Sequence, residues 1–302
     1  MDHARLNPCP LCGAIETVPY ATCSDHASSR LQYLLLRCPA CGVVFTDNHP
    51  GEDEMEQFET LDSQIRRADS PEGITERLYR HVRRRMLRRK ARLVVRQSYR
   101  DSGTLLNYGA KRGFFSDHME RKGWKVTSVD RHHENRQFSL EHFHHRMSGM
   151  QEMSDFTPET FDVITLWHVF EHENEPERLL DTFHRILRPG GILVMSCPNI
   201  CSTDAMHYGP YWAAYDVPRH LWHFNPVSLN RLVHRHGFTL MHHEKMPYDC
   251  FYISIMSEQY MMHRLAFLRG MAYGLHSWLV SLTRRGRSSS IVYVFRKTNG
   301  QI

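Results

Sequence analysis

From Thr104 to Asn199 short apolar runs alternate with helical patterns, and this alternation limits the chain to an α/β fold around a mostly parallel sheet. Thr104-Leu105-Leu106-Asn107-Tyr108 is an apolar run that stops at Gly109. Phe114 to Lys122 reads as a helix closed by Gly123, and Lys125 to Val129 as a second strand with Asp130 at its carboxyl end. Phe161 to Trp167 is a third strand. An amphipathic helix runs from Pro176 through Leu187, and after Arg188-Pro189-Gly190-Gly191 a fourth strand spans Ile192 to Ser196.

A strand, a glycine-bearing loop, a helix and a second strand bring backbone N–H groups and a helix N-terminus to a ligand at the carboxyl edge of the sheet. An acid about twenty residues on is placed to accept from ribose hydroxyls. Gly109, Gly113 and Asp130 meet that description. Alone, they fit a dinucleotide, S-adenosylmethionine (SAM), or a domain that binds neither.

Three longer segments narrow the choice. Residues 161–172 read FDVITLWHVFEH, residues 187–199 LRPGGILVMSCPN, and residues 216–226 DVPRHLWHFNP. Together they resemble the class I SAM-dependent methyltransferases, in the broad branch related to the ubiquinone-biosynthesis O-methyltransferases. Some members carry an N-terminal zinc-binding module. The resemblance implies a Rossmann-like seven-stranded sheet with helices on both faces and the last strand antiparallel. Phe238 to Met246 would be the sixth strand and Ser290 to Arg296 the seventh, with a lid at 200–226 and a helical insertion at 258–285. It also implies that Asn107, Gly109, Ala110, Gly113, Asp130, Leu166 and Trp167 hold SAM. The family loop reads D/E-x-G-x-G-x-G, whereas this chain has Asn107 for the acid and Lys111 for the middle glycine. Two readings stay open: Asn107 keeps the hydrogen bonding while Lys111 turns outward or meets the SAM carboxylate, or SAM affinity is weakened or lost.

Upstream, Cys9-Pro10-Leu11-Cys12-Gly13 and Cys38-Pro39-Ala40-Cys41-Gly42 are near copies. Two such knuckles supply four thiolates, a closed tetrahedral set for structural Zn²⁺. Leu31 to Leu36 reads as a strand leading into the second knuckle, and Cys23 as a thiol outside the set. Residues 1–50 are accordingly expected to form a zinc ribbon, 51–100 a linker and basic helix, and 101–302 the enzyme domain.

The linker from Asn48 to Ser70 is acidic and polar. Beyond it Ile74, Leu78, Val82 and Met86 recur every four residues, and arginines and lysines crowd the other faces as far as Arg96. The plain reading is a solvated helix face. The sharper readings are RNA, which would make the chain an RNA-directed methyltransferase, or a peripheral contact with an anionic membrane. Only Tyr79 and Tyr99 lie in this stretch, which argues against stacking on single strands. A net charge of +5 with 41% hydrophobic residues fits an ordinary globular chain. The first ten residues lack the apolar core of an export signal, so a cytoplasmic protein with reduced cysteines is expected. Leu265 to Leu282 is the longest apolar stretch, but it contains Arg269 and His276 and reads as an amphipathic or buried helix rather than a membrane span.

Methyl transfer to a hydroxyl benefits from a general base near neutral pKa, a role suited to histidine. Among 22 histidines, His168 and His172 follow the strand that ends at Trp167, and His220 and His223 lie in the lid. His168, His220 and His223 are the catalytic candidates. Glu171 is expected to order its loop, and Trp212 and Tyr215 to line the acceptor pocket. The H-x2-H pair His220/His223 lacks a third ligand nearby in sequence. The expected acceptor is a small molecule, a glycan or a lipid-linked intermediate. A non-catalytic scaffold that kept the fold is the remaining alternative.

Overall fold

The short apolar runs form a central sheet whose strands lie in the order β5 (Lys125–Val129), β4 (Thr104–Tyr108), β6 (Phe161–Trp167), β7 (Leu187–Pro198), β10 (Ser290–Lys297) and β9 (Phe238–Lys245). The computed structural model describes residues 7–51, 55 and 74–298. Strands β4 (Thr104–Tyr108), β5 (Lys125–Val129), β6 (Phe161–Trp167) and β7 (Leu187–Pro198) are parallel. β10 (Ser290–Lys297) inserts antiparallel between β7 and β9 (Phe238–Lys245). Leu105, Val163, Ile192, Val194, Val292 and Val294 face one layer, whereas Leu106, Ile164, Leu193, Met195, Ile291 and Tyr293 face the other. Residues one apart on a strand serve opposite faces, so both faces are covered.

The first face is covered by α1 (Ile74–Ser98) and α2 (Phe114–Glu120), through Ala91, Leu93, Val94, Phe115 and Met119. The second is covered by α4 (Pro176–Ile186) and α6 (Pro226–Arg235), through Leu180, Phe183, Leu229 and Leu232. Helix α3 (His133–Phe143) follows β5, and α5 (Thr203–Tyr208) opens the lid. The strands expected at Phe238–Met246 and Ser290–Arg296 are present as β9 and β10; among the described residues the central sheet has six strands, and Val129 and Ser148 form one isolated parallel bridge beyond β5.

The N-terminal residues form a second sheet of β1 (Val18–Ser24), β2 (Gln32–Arg37) and β3 (Val44–Thr46). Its fourth strand, β8 (Trp222–His223), comes from the lid, with Val44 opposite His223 and Phe45 opposite Trp222. Leu36, Val43 and Phe45 share one buried cluster with Leu106, Ile164 and Phe224. Ribbon, lid and central sheet are thus packed as one body. The acidic linker lies largely outside the described residues.

The helical insertion begins earlier than expected. It is a pair, α7 (Asp249–Tyr260) and α8 (Ala266–Thr283), rather than one element. Among the described residues no helix is long and apolar enough to cross a membrane.

Candidate active site and metal centre

The two cysteine knuckles fold as twins. Gly13 N–H donates to the Cys9 carbonyl at 2.9 Å, and Gly42 N–H to that of Cys38 at the same distance. Gly13 and Gly42 have φ of 68° and 78°, a left-handed bend that disfavours any side chain. Cys9 Sγ lies 3.7 Å from Cys41 Sγ, and Cys12 Sγ 3.5 Å from Cys38 Sγ. All four sulfurs lie within 4.8 Å of one another. A tetrahedron with Zn–S bonds of about 2.3 Å has edges near 3.8 Å, so the set fits a zinc ion. Cys23 is buried apart from them, among Tyr33 and Leu35 of the ribbon and Trp212 of the lid, where burial pushes its thiol up to about 12.

At the carboxyl end of β4 the chain turns through Gly109, Ala110, Lys111, Arg112 and Gly113. Gly109 has φ 65°, and a β-carbon there would come within 2.5 Å of Val169 Cγ2. Gly113 has φ 80°, and its β-carbon would meet Ser139 Oγ at 2.5 Å. Both positions therefore require glycine. Lys111 occupies the middle-glycine position with φ 51°, so the backbone takes the glycine-like path and the side chain is exposed. The exposed side chain still lies close enough to Lys90 for its charge to act on that amine.

Lys111 N–H donates to Asp130 Oδ2 at 2.6 Å. Asp130 Oδ1 accepts from His132 N–H and from Asn135 Nδ2, both at 3.0 Å. The carboxylate expected at the sugar thus also fixes the loop. A carboxylate offers about four acceptor positions, which leaves capacity for a ribose hydroxyl.

Asn107 is fully buried. Its Nδ2 donates to Ser116 Oγ at 2.9 Å, and its Oδ1 accepts from Thr165 Oγ1 at 3.0 Å. Ser116 and Ser128 hydroxyls lie 2.7 Å apart, and His145 Nε2 is 2.8 Å from Ser128 Oγ. The position needs a donor and an acceptor together, which an amide supplies and an ionised acid does not.

At the end of β6, Leu166 is buried and Trp167 packs edge-on to Phe115, with ring centroids 5.3 Å apart. Lys90 of α1 lies over the Trp167 ring, Nζ 4.3 Å from its centroid. Burial, reinforced by the charge of Lys111, holds the Lys90 amine down to about 7.

His168 takes φ 56°. Its Nδ1 lies 3.2 Å from Glu171 Oε1 and its Nε2 3.2 Å from Asp249 Oδ2, at the start of α7. Burial works against the charge, but the two carboxylates win and raise its pKa to about 9. Glu171, although buried, is held down to about 2 by its hydrogen bond to His168 and the nearby histidines.

The lid histidines part company. His220 Nδ1 donates to the Ala214 carbonyl at 2.8 Å, and His172 Nδ1 to the Arg219 carbonyl at 2.9 Å. Carbonyls only accept, so each ring donates through Nδ1 and Nε2 is the nitrogen left to face a proton or another group. The two rings meet edge-on with centroids 4.6 Å apart, and Glu171, His172 and His220 bring one donor atom each within 4.8 Å. The carboxylate and third donor missing near His220 in the sequence are thus supplied by the loop after β6. His223 instead lies 3.0 Å from Thr46 Oγ1 of the ribbon, and burial lowers its pKa to about 3. It stays neutral within the sheet that joins lid and ribbon. Trp212 donates to Asp204 Oδ2 at 2.9 Å and packs on Tyr215; both are buried, and with Cys23, His26 and Arg219 they line a small cavity between lid and ribbon.

Lys90 and Asp249 were not legible as site residues. Lys90 hides in a run of like charges, and Asp249 carries no local signal linking it to His168, 81 positions away.

A family profile described as "Methyltransferase domain" matches residues 78–243, more than half of the chain. Among curated proteins, the ubiquinone biosynthesis O-methyltransferase of Pseudomonas paraeruginosa is 28% identical over 105 residues, which cover 32% of this chain and 44% of that protein. That of Caulobacter vibrioides is 29% identical over 103 residues, covering 32% and 41%. The chain spans less than half the length of these relatives. Among solved structures, the 1,6-didemethyltoxoflavin-N1-methyltransferase of Burkholderia thailandensis superposes with a TM-score of 0.51 at 14% identity, over 93% of this chain and 99% of that one. A SAM-dependent methyltransferase of Archaeoglobus fulgidus gives 0.50 at 15% identity, over 72% and 94%. At such identities the structures speak for the fold.

Proposed function

We propose, from the premise that this chain belongs to the SAM-dependent methyltransferase family, that it transfers a methyl group from SAM to a small-molecule, glycan or lipid-linked acceptor and carries structural zinc. The observation that carries the reading is the left-handed loop from Gly109 to Gly113, tied through Lys111 N–H to Asp130. The backbone is left-handed at Gly109, Lys111 and Gly113, the three positions where the family motif carries glycine, which supports the reading.

Gly109, Ala110, Gly113 and Asp130 would hold the cofactor's amino acid and sugar, and Leu166 and Trp167 would flank its base. When bound, SAM supplies an electrophilic methyl on a sulfonium, which reacts in line with the acceptor atom. His168 is charged at neutral pH and is the ionic tie between the β6 loop and α7, not the base. His220 is the base in this reading: the Ala214 carbonyl fixes its tautomer, and Glu171 stabilises the proton that it gains. His172 is the second imidazole of that cluster. His223 supports the lid from behind.

The test is calorimetric titration with SAM and S-adenosylhomocysteine. Wild type is expected to bind both, and Asp130→Ala to bind at least about tenfold more weakly, the loss of one to two hydrogen bonds to a charged acceptor. Absence of binding in folded, zinc-loaded wild type would sink the enzyme reading in favour of the scaffold.

A further inference from the structure

Helix α8 is built inside out. Gly270, Gly274, Ser277 and Ser281 lie buried on one stripe. A β-carbon at Gly270 would come within 2.4 Å of Ile255 Cα, and one at Gly274 within 2.9 Å of Phe251 Cα, so the small face presses directly on the backbone of α7. The large apolar side chains point away. Phe267, Leu268, Met271, Leu275, Leu279 and Leu282 are 40–62% exposed. A helix in a water-facing protein places these two faces the other way round. Small residues inside and leucines outside is the pattern of a helix whose outer solvent is lipid.

Charge identifies the partner. From residue 259 to the last residue the sequence contains no Asp or Glu, but five arginines surround α8: Arg264 before it, Arg269 within it, and Arg284, Arg285 and Arg287 after it. Arg269 pairs back onto Glu258 at 2.7 Å. Arg264 and Arg284 are exposed at the two ends of the apolar stripe. The basic helix α1 adjoins this region: Arg89 donates to the Lys245 carbonyl at 3.1 Å, and Lys245 Nζ lies 5.3 Å from the centre of the Trp278 ring of α8. Arg84, Arg85, Arg88 and Arg92 are exposed along α1.

We propose that the outer face of α8, with its flanking arginines, is a docking surface for a membrane rich in anionic lipid, on which the helix lies in the plane of the interface. Its 18 residues, about 27 Å long, are not apolar enough to span, which fits lying in the interface. The inference stands on this surface and does not depend on methyl transfer. One consequence does rest on the methyl-transfer reading: α7, packed under α8, begins at Asp249 beside His168, so a docked molecule holds its active site close to lipid-borne acceptors.

The test is co-sedimentation of the full, zinc-loaded chain with phosphatidylcholine vesicles, with and without phosphatidylglycerol. Wild type is expected to sediment with the anionic vesicles and to be released by salt. The Leu275→Asp/Leu279→Asp double variant should lose about tenfold or more in partitioning, with unchanged circular dichroism and unchanged SAM titration. Arg264→Gln/Arg284→Gln should weaken binding only to the anionic vesicles. Wild type staying in solution with both vesicle types overturns the proposal. So does a wild-type dimer that the leucine variant splits into monomers without any change in vesicle binding, because the face would then belong to a second copy. SAM binding is read separately, so failure here and failure of the enzyme reading are distinguishable.

Discussion

Asn107 shows how a single position can depart from its family for a local reason. It stands where the related loops carry an acid, yet its amide bridges Thr165 and Ser116 inside a buried hydroxyl network. Restoring the acid with Asn107→Asp would remove the donor and bury a charge. We expect a loss of about 1–3 kcal/mol, larger at high pH where the acid is ionised, measured by urea unfolding at two pH values. Lys111 is the converse case. A lysine in the left-handed region costs about 1 kcal/mol relative to glycine, so Lys111→Gly should raise the melting temperature by a few degrees while leaving SAM binding intact. A variant that melts lower would show that the lysine side chain contributes more than its backbone costs.

Between elements, the lid is the part that binds the molecule together. β8 completes the ribbon's sheet, and Arg219 reaches from the lid to Asp25 in the turn after β1, with its guanidinium 3.0 Å from Asp25 Oδ1 and 2.7 Å from Asp216 Oδ1. Burial penalises the Asp25 charge, but hydrogen bonds from Ser28 and Ser29 and the charge of Arg219 hold its pKa down to about 2. Arg219→Met would leave two acids facing each other around a buried gap, and should cost about 3–5 kcal/mol in a denaturant melt. A loss below 1 kcal/mol would mean that the strand pairing, not the ion cluster, fixes the lid. A second element-scale effect follows from His168. Its folded pKa, about 9, lies above the ordinary 6.5, so its contribution to stability is complete below about 6.5 and is lost as the pH rises through about 9. Wild type should weaken across that window, and Asp249→Asn should flatten the curve. Equal slopes for both proteins would refute the pairing.

For the whole molecule, one core joining ribbon, lid and sheet means that loss of the proposed zinc would not stay local. Structural zinc contributes on the order of 10–16 kcal/mol to the folding of small modules. Metal analysis should find one zinc per chain, and Cys38→Ser should lose it. Chelation should lower the melting temperature of the entire chain in a single transition, because Leu36 and Phe45 share a cluster with Leu106 and Phe224. Two separate transitions would show that ribbon and enzyme domain unfold independently.

What the sequence determined by itself is whatever short-range chemistry dictates. Cysteine pairs with a following glycine can fold only into a few tight bends, and short apolar runs alternating with helices of period near four set the order of the strands. The family motifs on that frame were equally legible. Tertiary structure decided whatever depends on contacts distant in sequence. His168 found Asp249, His220 found Glu171 and His172 rather than its sequence neighbour His223, and the lid gave two residues to the ribbon's sheet. It also decided which face of α8 is buried. Periodicity records that a helix has an apolar face but not which way the face points, and only the packing of Gly270 and Gly274 against α7 turned the leucines outward.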